Sequence, residues 1–243
     1  MMESAMSTDA EGDAGEAARS PFEERVQARE VMVRDQIERR GVQDPVVLQA
    51  MRRVPRHAFV SADQESRAYA DHPLPIGRSQ TISQPYIVGL MTEAVRPRPG
   101  DRILEIGAGC GYQTAVLLEC GAVVYAIELE PELAALARRN LDALGYDKVY
   151  IRAGDGSGGW PEEAPFDGIF AAAAAPRLPE GLTDQLAPGG RMVLPIGTEP
   201  QTLTRFERTP DGIVSHDLGA VRFVPLRATR PPENPPDEEP SPP

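Results

Sequence analysis

The spacing of apolar positions changes near residue 86, and the change divides the chain. Before it, Val26, Val33 and Ile37 recur at close to 3.6 residues, predicting a helix over 22–40 that Gly41 stops. Asp44 followed by Pro45 reads as a capping residue and a first-turn proline. The helix they open runs through Arg53 and ends at the Val54-Pro55 boundary, because the residue before a proline leaves the helical region. These helices predict a small front subdomain packed on the main body.

Beyond residue 86 strands and helices alternate. A helix over 87–95 leads to the strand "RILEIG", the helix "YQTAVLLEC", the strand "VVYAIEL", the helix "PELAALARRNLDAL" and the strand "VYIRAG". Then come the strand "DGIFAAA", a helix around 179–187, the turn "APGG" and the strand "RMVLPIG". Apolar, β-branched strands separated by helices predict an α/β fold: a doubly wound, Rossmann-like, mostly parallel sheet with helices on both faces. The end, "TLTRFERTPDGIVSHDLGAVRFVPL", reads as strands around the turn "TPDG" that finish the sheet edge antiparallel. Residues 1–20 are small, acidic and aperiodic, and 231–243 are proline-rich and acidic, so both are expected to be disordered. Between them lies one domain, 21–230, with a helical front and active-site loop over 21–85 and the core over 86–230.

Charge changes the picture once the tails are set aside. The formal net charge is −12, but residues 1–19 and 231–243 carry −4 each, leaving −4 for the body. A weakly acidic body argues against nucleic acid as a partner, since phosphate binding needs clustered Lys and Arg. No apolar run is long enough to span a bilayer and no secretory pattern opens the chain, so a cytoplasmic protein with no membrane contact is expected, as a monomer. Cys110 and Cys120 are too few for a disulfide framework, and three scattered histidines make no metal pattern. No metal is expected. Trp160 reads as packing.

The candidate chemistry starts at "ILEIGAGCGYQTA". It places Glu105, Gly107, Gly109 and Gly111 where the first core strand meets its helix, the region where open α/β sheets bind ligands. A dinucleotide fingerprint would read G-x-G-x-x-G; here the spacing is G-x-G-x-G, with an acid two residues before it. A carboxylate there repels a pyrophosphate and welcomes an ammonium. Glu128 ends the second core strand, placed to accept both hydroxyls of a ribose, and Asp155 ends the third, placed to accept from an adenine amino group. Three acids at three consecutive strand ends describe a nucleoside with a cationic amino-acid arm, S-adenosyl-L-methionine. NAD is the nearest rival, disfavoured by the loop spacing.

The stretches "YADHPLPIGRSQTISQPYIVGLMTE", "RILEIGAGCGYQTAVL", "AGDGSGGWPEEAPFDGIFAAAAAP", "LAPGGRMVLPIG" and "AVRFVPL" resemble the protein-L-isoaspartate O-methyltransferase family, a class I methyltransferase family, from about residue 25 to 227. The resemblance implies that Ser83 is the catalytic residue, with Gln80, Thr81 and Ile82 around methyl donor and acceptor. It also implies cofactor contacts from Glu105, the loop glycines, Glu128, Asp155 and Gly156, and substrate contacts from Thr81 and Ser83. Cys110 stands where the family more often has serine, and "FAAAAAP" is poorer in β-branched residues than usual.

The implied partners are isoaspartyl peptides and damaged proteins, methylated to start repair through a succinimide. Ser83 has no histidine or acid at an activating spacing, and this reaction needs none. An isoaspartyl α-carboxylate, with a pKa of about 3.5, is already ionised at neutral pH and requires only alignment. Arg222 is either a contact for that carboxylate or a solvated strand charge. Two other readings remain: a methyltransferase for a small carboxylate or hydroxyl, and an inactive S-adenosyl-L-methionine-binding interaction protein.

Overall fold

The computed structural model describes residues 20–227. The two tails expected to be disordered, apart from Ser20, lie outside the described residues.

The front is helical. Helix α1 (Val26–Met32) continues through a π-helical turn (Val33–Ile37) and a 3-10 turn (Glu38–Arg40) to Gly41, whose φ of 105° stops it. Met32, Val33 and Ile37 face inward, whereas Val26 is exposed and Arg29 is buried. Val26 is the first residue of α1, at the open end of the stripe that Val33 and Ile37 continue inward. Helix α2 (Pro45–Arg53) is capped as the sequence predicts: the Asp44 carboxylate accepts from Val46 N at 2.9 Å.

A two-stranded hairpin follows, β1 (Leu74–Gly77) and β2 (Gln80–Ile82), with Leu74 opposite Ile82 and Gly77 opposite Gln80. Its two-residue turn holds both Arg78 and Ser79 at positive φ, 51° and 56°, the backbone that matches the twist of paired strands. Helix α3 (Pro85–Val95) begins three residues after β2, again with a first-turn proline.

The core is a seven-stranded sheet. Strands β3 (Arg102–Ile106), β4 (Val123–Glu128), β5 (Val149–Ala153), β6 (Phe166–Ala171) and β7 (Leu186–Ile196) run parallel. Strands β8 (Gln201–Thr209) and β9 (Gly212–Val221) add the antiparallel edge, giving the order β5-β4-β3-β6-β7-β8-β9. Side chains alternate as the pleat requires. Ile103, Val124 and Ala126 join the core formed with α3, α4 (Tyr112–Glu119) and α5 (Pro131–Ala143), while Leu104, Ile106, Tyr125 and Ile127 face the other way.

That second face is covered more thinly. The helix expected over 179–187 is one turn, α6 (Glu180–Thr183), whose Leu182 packs there with Trp160 and Leu178. The "APGG" turn is absorbed into β7 as an irregularity in its pairing with β6, where Phe166 faces Leu186 but Gly168 faces Arg191. No helix among the described residues is long and apolar enough to cross a membrane.

Candidate active site

Strand order reverses at β3, which lies between β4 and β6, and the chain leaving β3 and the chain leaving β6 turn to opposite faces of the sheet and open a crevice. A cavity of about 920 Å³ sits there. The β1–β2 hairpin and the start of α3 form one wall, and the carboxyl ends of the central strands form the other. The segment after β9 closes a third side: Phe223 N donates to Gln201 Oε1 at 2.6 Å, and Ala174 pairs with Pro225.

The glycine loop needs its glycines. Gly107, Gly109 and Gly111 have φ of 91°, 56° and 90°, a region costly for residues with a Cβ. A Cβ on Gly109 would stand 3.2 Å from Ile76 Cδ1, so the loop lets the hairpin close on it. Gly111 packs on the backbone of α5 at Ala137.

Glu128 is buried on the cavity wall. One carboxylate oxygen accepts from Gly109 N at 2.8 Å and the other from Glu130 N at 3.0 Å. The carboxylate is therefore oriented, with lone pairs left for ligand hydroxyls. Asp155 follows β5 and accepts from Ser157 N at 2.8 Å. Beside it, Gly156 lines the cavity, and a Cβ there would lie 2.7 Å from Ile106 Cγ2.

Glu105 stands differently. It is fully buried behind the loop, on the helical side of the sheet, where Thr114 Oγ1 donates to its Oε2 at 2.6 Å and Oε1 has no partner. Burial pushes its carboxyl up to about 8; the Thr114 hydrogen bond opposes the shift and the Glu128 charge adds to it. In that state the group is mostly neutral near pH 7, and a nearby ligand ammonium would favour its ionised form.

On the hairpin wall, Gln80, Thr81 and Ser83 line the cavity, and Ile82 lines a small recess behind it with Met91, Phe170 and Gln113. Tyr86 lies one turn further on, with the Arg40 guanidinium 3.6 Å from its ring centroid. The charged side chains on the cavity wall, among the described residues, are Glu128, Arg40, Arg222 and Arg227. Nothing there acts as a conventional base toward Ser83. Arg222 reaches the cavity from the rim, largely exposed and paired with Glu199 at 3.1 Å.

Several wall residues escaped the sequence reading. Ala172 and Ala173 follow the end of β6 and line the cavity, where their small side chains take up little of its space. The cysteines are buried and free, with thiols pushed up by burial to about 11 at Cys110 and about 12 at Cys120, so neither supplies a thiolate. Trp160 meets Tyr125 edge-on, as packing. No group of three potential metal ligands occurs among the described residues.

A family model described as protein-L-isoaspartate(D-aspartate) O-methyltransferase matches residues 27–230. The chain belongs to this family. Relatives named protein-L-isoaspartate O-methyltransferase include one from Gloeobacter violaceus, 54% identical over 205 residues that cover 84% of this chain and 100% of that protein. Another, from Methanospirillum hungatei, is 55% identical over 206 residues, 84% of this chain and 95% of that protein. A solved structure of the same name superposes with a TM-score of 0.75 at 30% identity over 82% of this chain, spanning 66%, just under two thirds, of that chain. A Plasmodium falciparum structure described as a beta-aspartate methyltransferase in complex with S-adenosyl-L-homocysteine gives a TM-score of 0.71 at 26% identity, covering 82% of this chain and 98% of that one.

Proposed function

We infer that this chain is an S-adenosyl-L-methionine-dependent enzyme that methylates the free α-carboxylate of L-isoaspartyl residues in damaged proteins and peptides, opening a repair route through a succinimide. The observation that carries the reading is a single cleft joining two unlike walls. One has an oriented buried carboxylate and a glycine loop; the other presents Ser83 and Thr81 beside a rim open to solvent.

The walls fit the cofactor. Glu128 is held for ribose hydroxyls, Asp155 is adjacent for an adenine amino group, and the absent side chains of Gly107, Gly109 and Gly156 leave the backbone bare. When bound, S-adenosyl-L-methionine supplies the methyl group. Ser83 and Thr81 hold the acceptor carboxylate, which arrives ionised, so the residues align it and remove no proton. Gln80 and Ile82 shape the donor side, and Arg222 draws the carboxylate in from the rim.

The rim supports a peptide acceptor over a small molecule. Thr81, Arg222, Val224 and Arg227 are exposed where an enclosed pocket would bury them. A cytoplasmic monomer acting on damaged proteins completes the reading. The test is a pair of synthetic peptides that differ only in isoaspartate against aspartate, assayed with labelled S-adenosyl-L-methionine. Label in the isoaspartyl peptide alone is expected. Equal labelling, or label only in small acids, overturns the repair assignment, and binding without turnover favours an inactive binding protein.

A further inference from the structure

Among the described residues Arg56 is the largest fully buried side chain, and it has no carboxylate partner there. It stands on a 3-10 turn (Arg56–Phe59) that follows α2. Nε donates to the carbonyl of Ala68 at 2.8 Å, and Nη2 donates to the carbonyl of Ser83 at 2.7 Å. The guanidinium lies over the ring of Tyr112, the first residue of the helix that leaves the glycine loop, 4.7 Å from its centroid. Nη1 makes no close hydrogen bond among the described residues.

Such a placement is costly, because a buried guanidinium cannot shed its proton and here meets only neutral groups, two carbonyls and the ring and hydroxyl of Tyr112. A packing role alone is met at lower cost by an apolar side chain. What the arginine adds is a charge-assisted donor of fixed geometry, and that donor is spent on Ser83. The serine needs it. Ser83 falls between the end of β2 and the start of α3, outside the ladder of one and the hydrogen-bonded turns of the other. A one-ångström error at such a position costs on the order of a hundredfold in rate.

We propose that Arg56 is a positioning residue for the methyl transfer: its buried guanidinium fixes the backbone of Ser83, and thereby the hydroxyl, against the Tyr112 end of the glycine loop. This rests on the reading that Ser83 holds the acceptor. It adds a residue that lines neither the cavity nor the recess behind it.

The test is a double-mutant cycle on kcat with an isoaspartyl peptide, using Arg56→Lys, Ser83→Ala and both together, with S-adenosyl-L-homocysteine affinity measured in parallel. Arg56→Lys is expected to lower kcat about tenfold or more with affinity for S-adenosyl-L-homocysteine within about twofold, and the double variant to be no slower than Ser83→Ala. Additive losses, or a fall in cofactor affinity matching the fall in kcat, overturn the positioning role while leaving Ser83 in place. A Ser83→Ala enzyme at the wild-type rate overturns the reading of Ser83 itself, and the proposal with it. Should Arg56→Lys fail to fold, nitrogen-15 NMR of the intact enzyme decides. A slowly exchanging Arg56 guanidinium that responds to the isoaspartyl but not the aspartyl peptide supports the proposal; one exchanging as fast as exposed arginines defeats it.

Discussion

The hydroxyl of Thr114 donates to Glu105 at 2.6 Å in a place where the other oxygen of that carboxylate has no partner. One hydrogen bond does not offset full burial, which is why the carboxyl is held at about 8. The native protein therefore keeps a proton that the unfolded chain, with a carboxyl near its ordinary 4.5, has lost. Stability in the absence of cofactor should fall as pH rises from about 4.5 through 8, because folding then binds a proton that is increasingly scarce. Glu105→Gln should flatten that decline, recovering on the order of a few kcal/mol at pH 8 and little at pH 5. Denaturant unfolding at three pH values measures it, and parallel curves for the two proteins would show a normal carboxyl.

Glu128 presents the opposite case, a buried carboxylate with backbone donors on both oxygens. Glu128→Gln keeps the shape but replaces one acceptor oxygen with an amide that cannot accept from Gly109 and a ribose hydroxyl alike. We expect affinity for S-adenosyl-L-homocysteine to fall by about 1.5–3 kcal/mol, the scale of a hydrogen bond to a charged group. Calorimetric titration of the folded variant checks this, and unchanged affinity removes Glu128 from the site.

Both carboxylates were legible in the sequence as acids at strand ends, but only position was legible, not facing. Period-two alternation puts Glu105 on the face of Ile103, under α4, whereas Glu128, the last residue of β4, reaches the wall at the strand's carboxyl end. The parallel core was readable because its strands are continuous apolar runs. The hairpin was not: its strands are four and three residues long, and its turn uses Arg78 and Ser79 at positive φ instead of glycine or asparagine. Arg56 was equally invisible, since an arginine after "VP" reads as surface until a fold buries it.

Gly156 tests how tightly the third strand end is built. An added Cβ would come within 2.7 Å of Ile106 Cγ2, and Ile127 is also in contact at 3.5 Å. Both isoleucines are buried on central strands and have little room to retreat. Gly156→Ala should destabilise by roughly 1–3 kcal/mol and weaken cofactor binding, because relief comes by moving the 154–157 turn that carries Asp155. A variant with wild-type melting temperature and affinity would show that the turn shifts freely.

The absence of a base makes a prediction about pH. Among the described wall residues the only carboxylate is Glu128, already engaged by two backbone donors, and no histidine or lysine faces the cleft. A serine that acted as a nucleophile or passed a proton would need such a partner. A serine that only orients an ionised acceptor would not. The acceptor carboxylate, with a pKa of about 3.5, is fully charged by pH 6. With S-adenosyl-L-methionine and peptide both saturating, kcat should then stay within about twofold between pH 6 and 7.5, and Ser83→Ala should lower the whole profile about 10- to 100-fold without changing its shape. Single-turnover methylation across that range separates chemistry from product release. A unit-slope rise in log kcat that Ser83→Ala abolishes would assign a proton transfer to Ser83 and require a base that the cleft does not contain among its described residues.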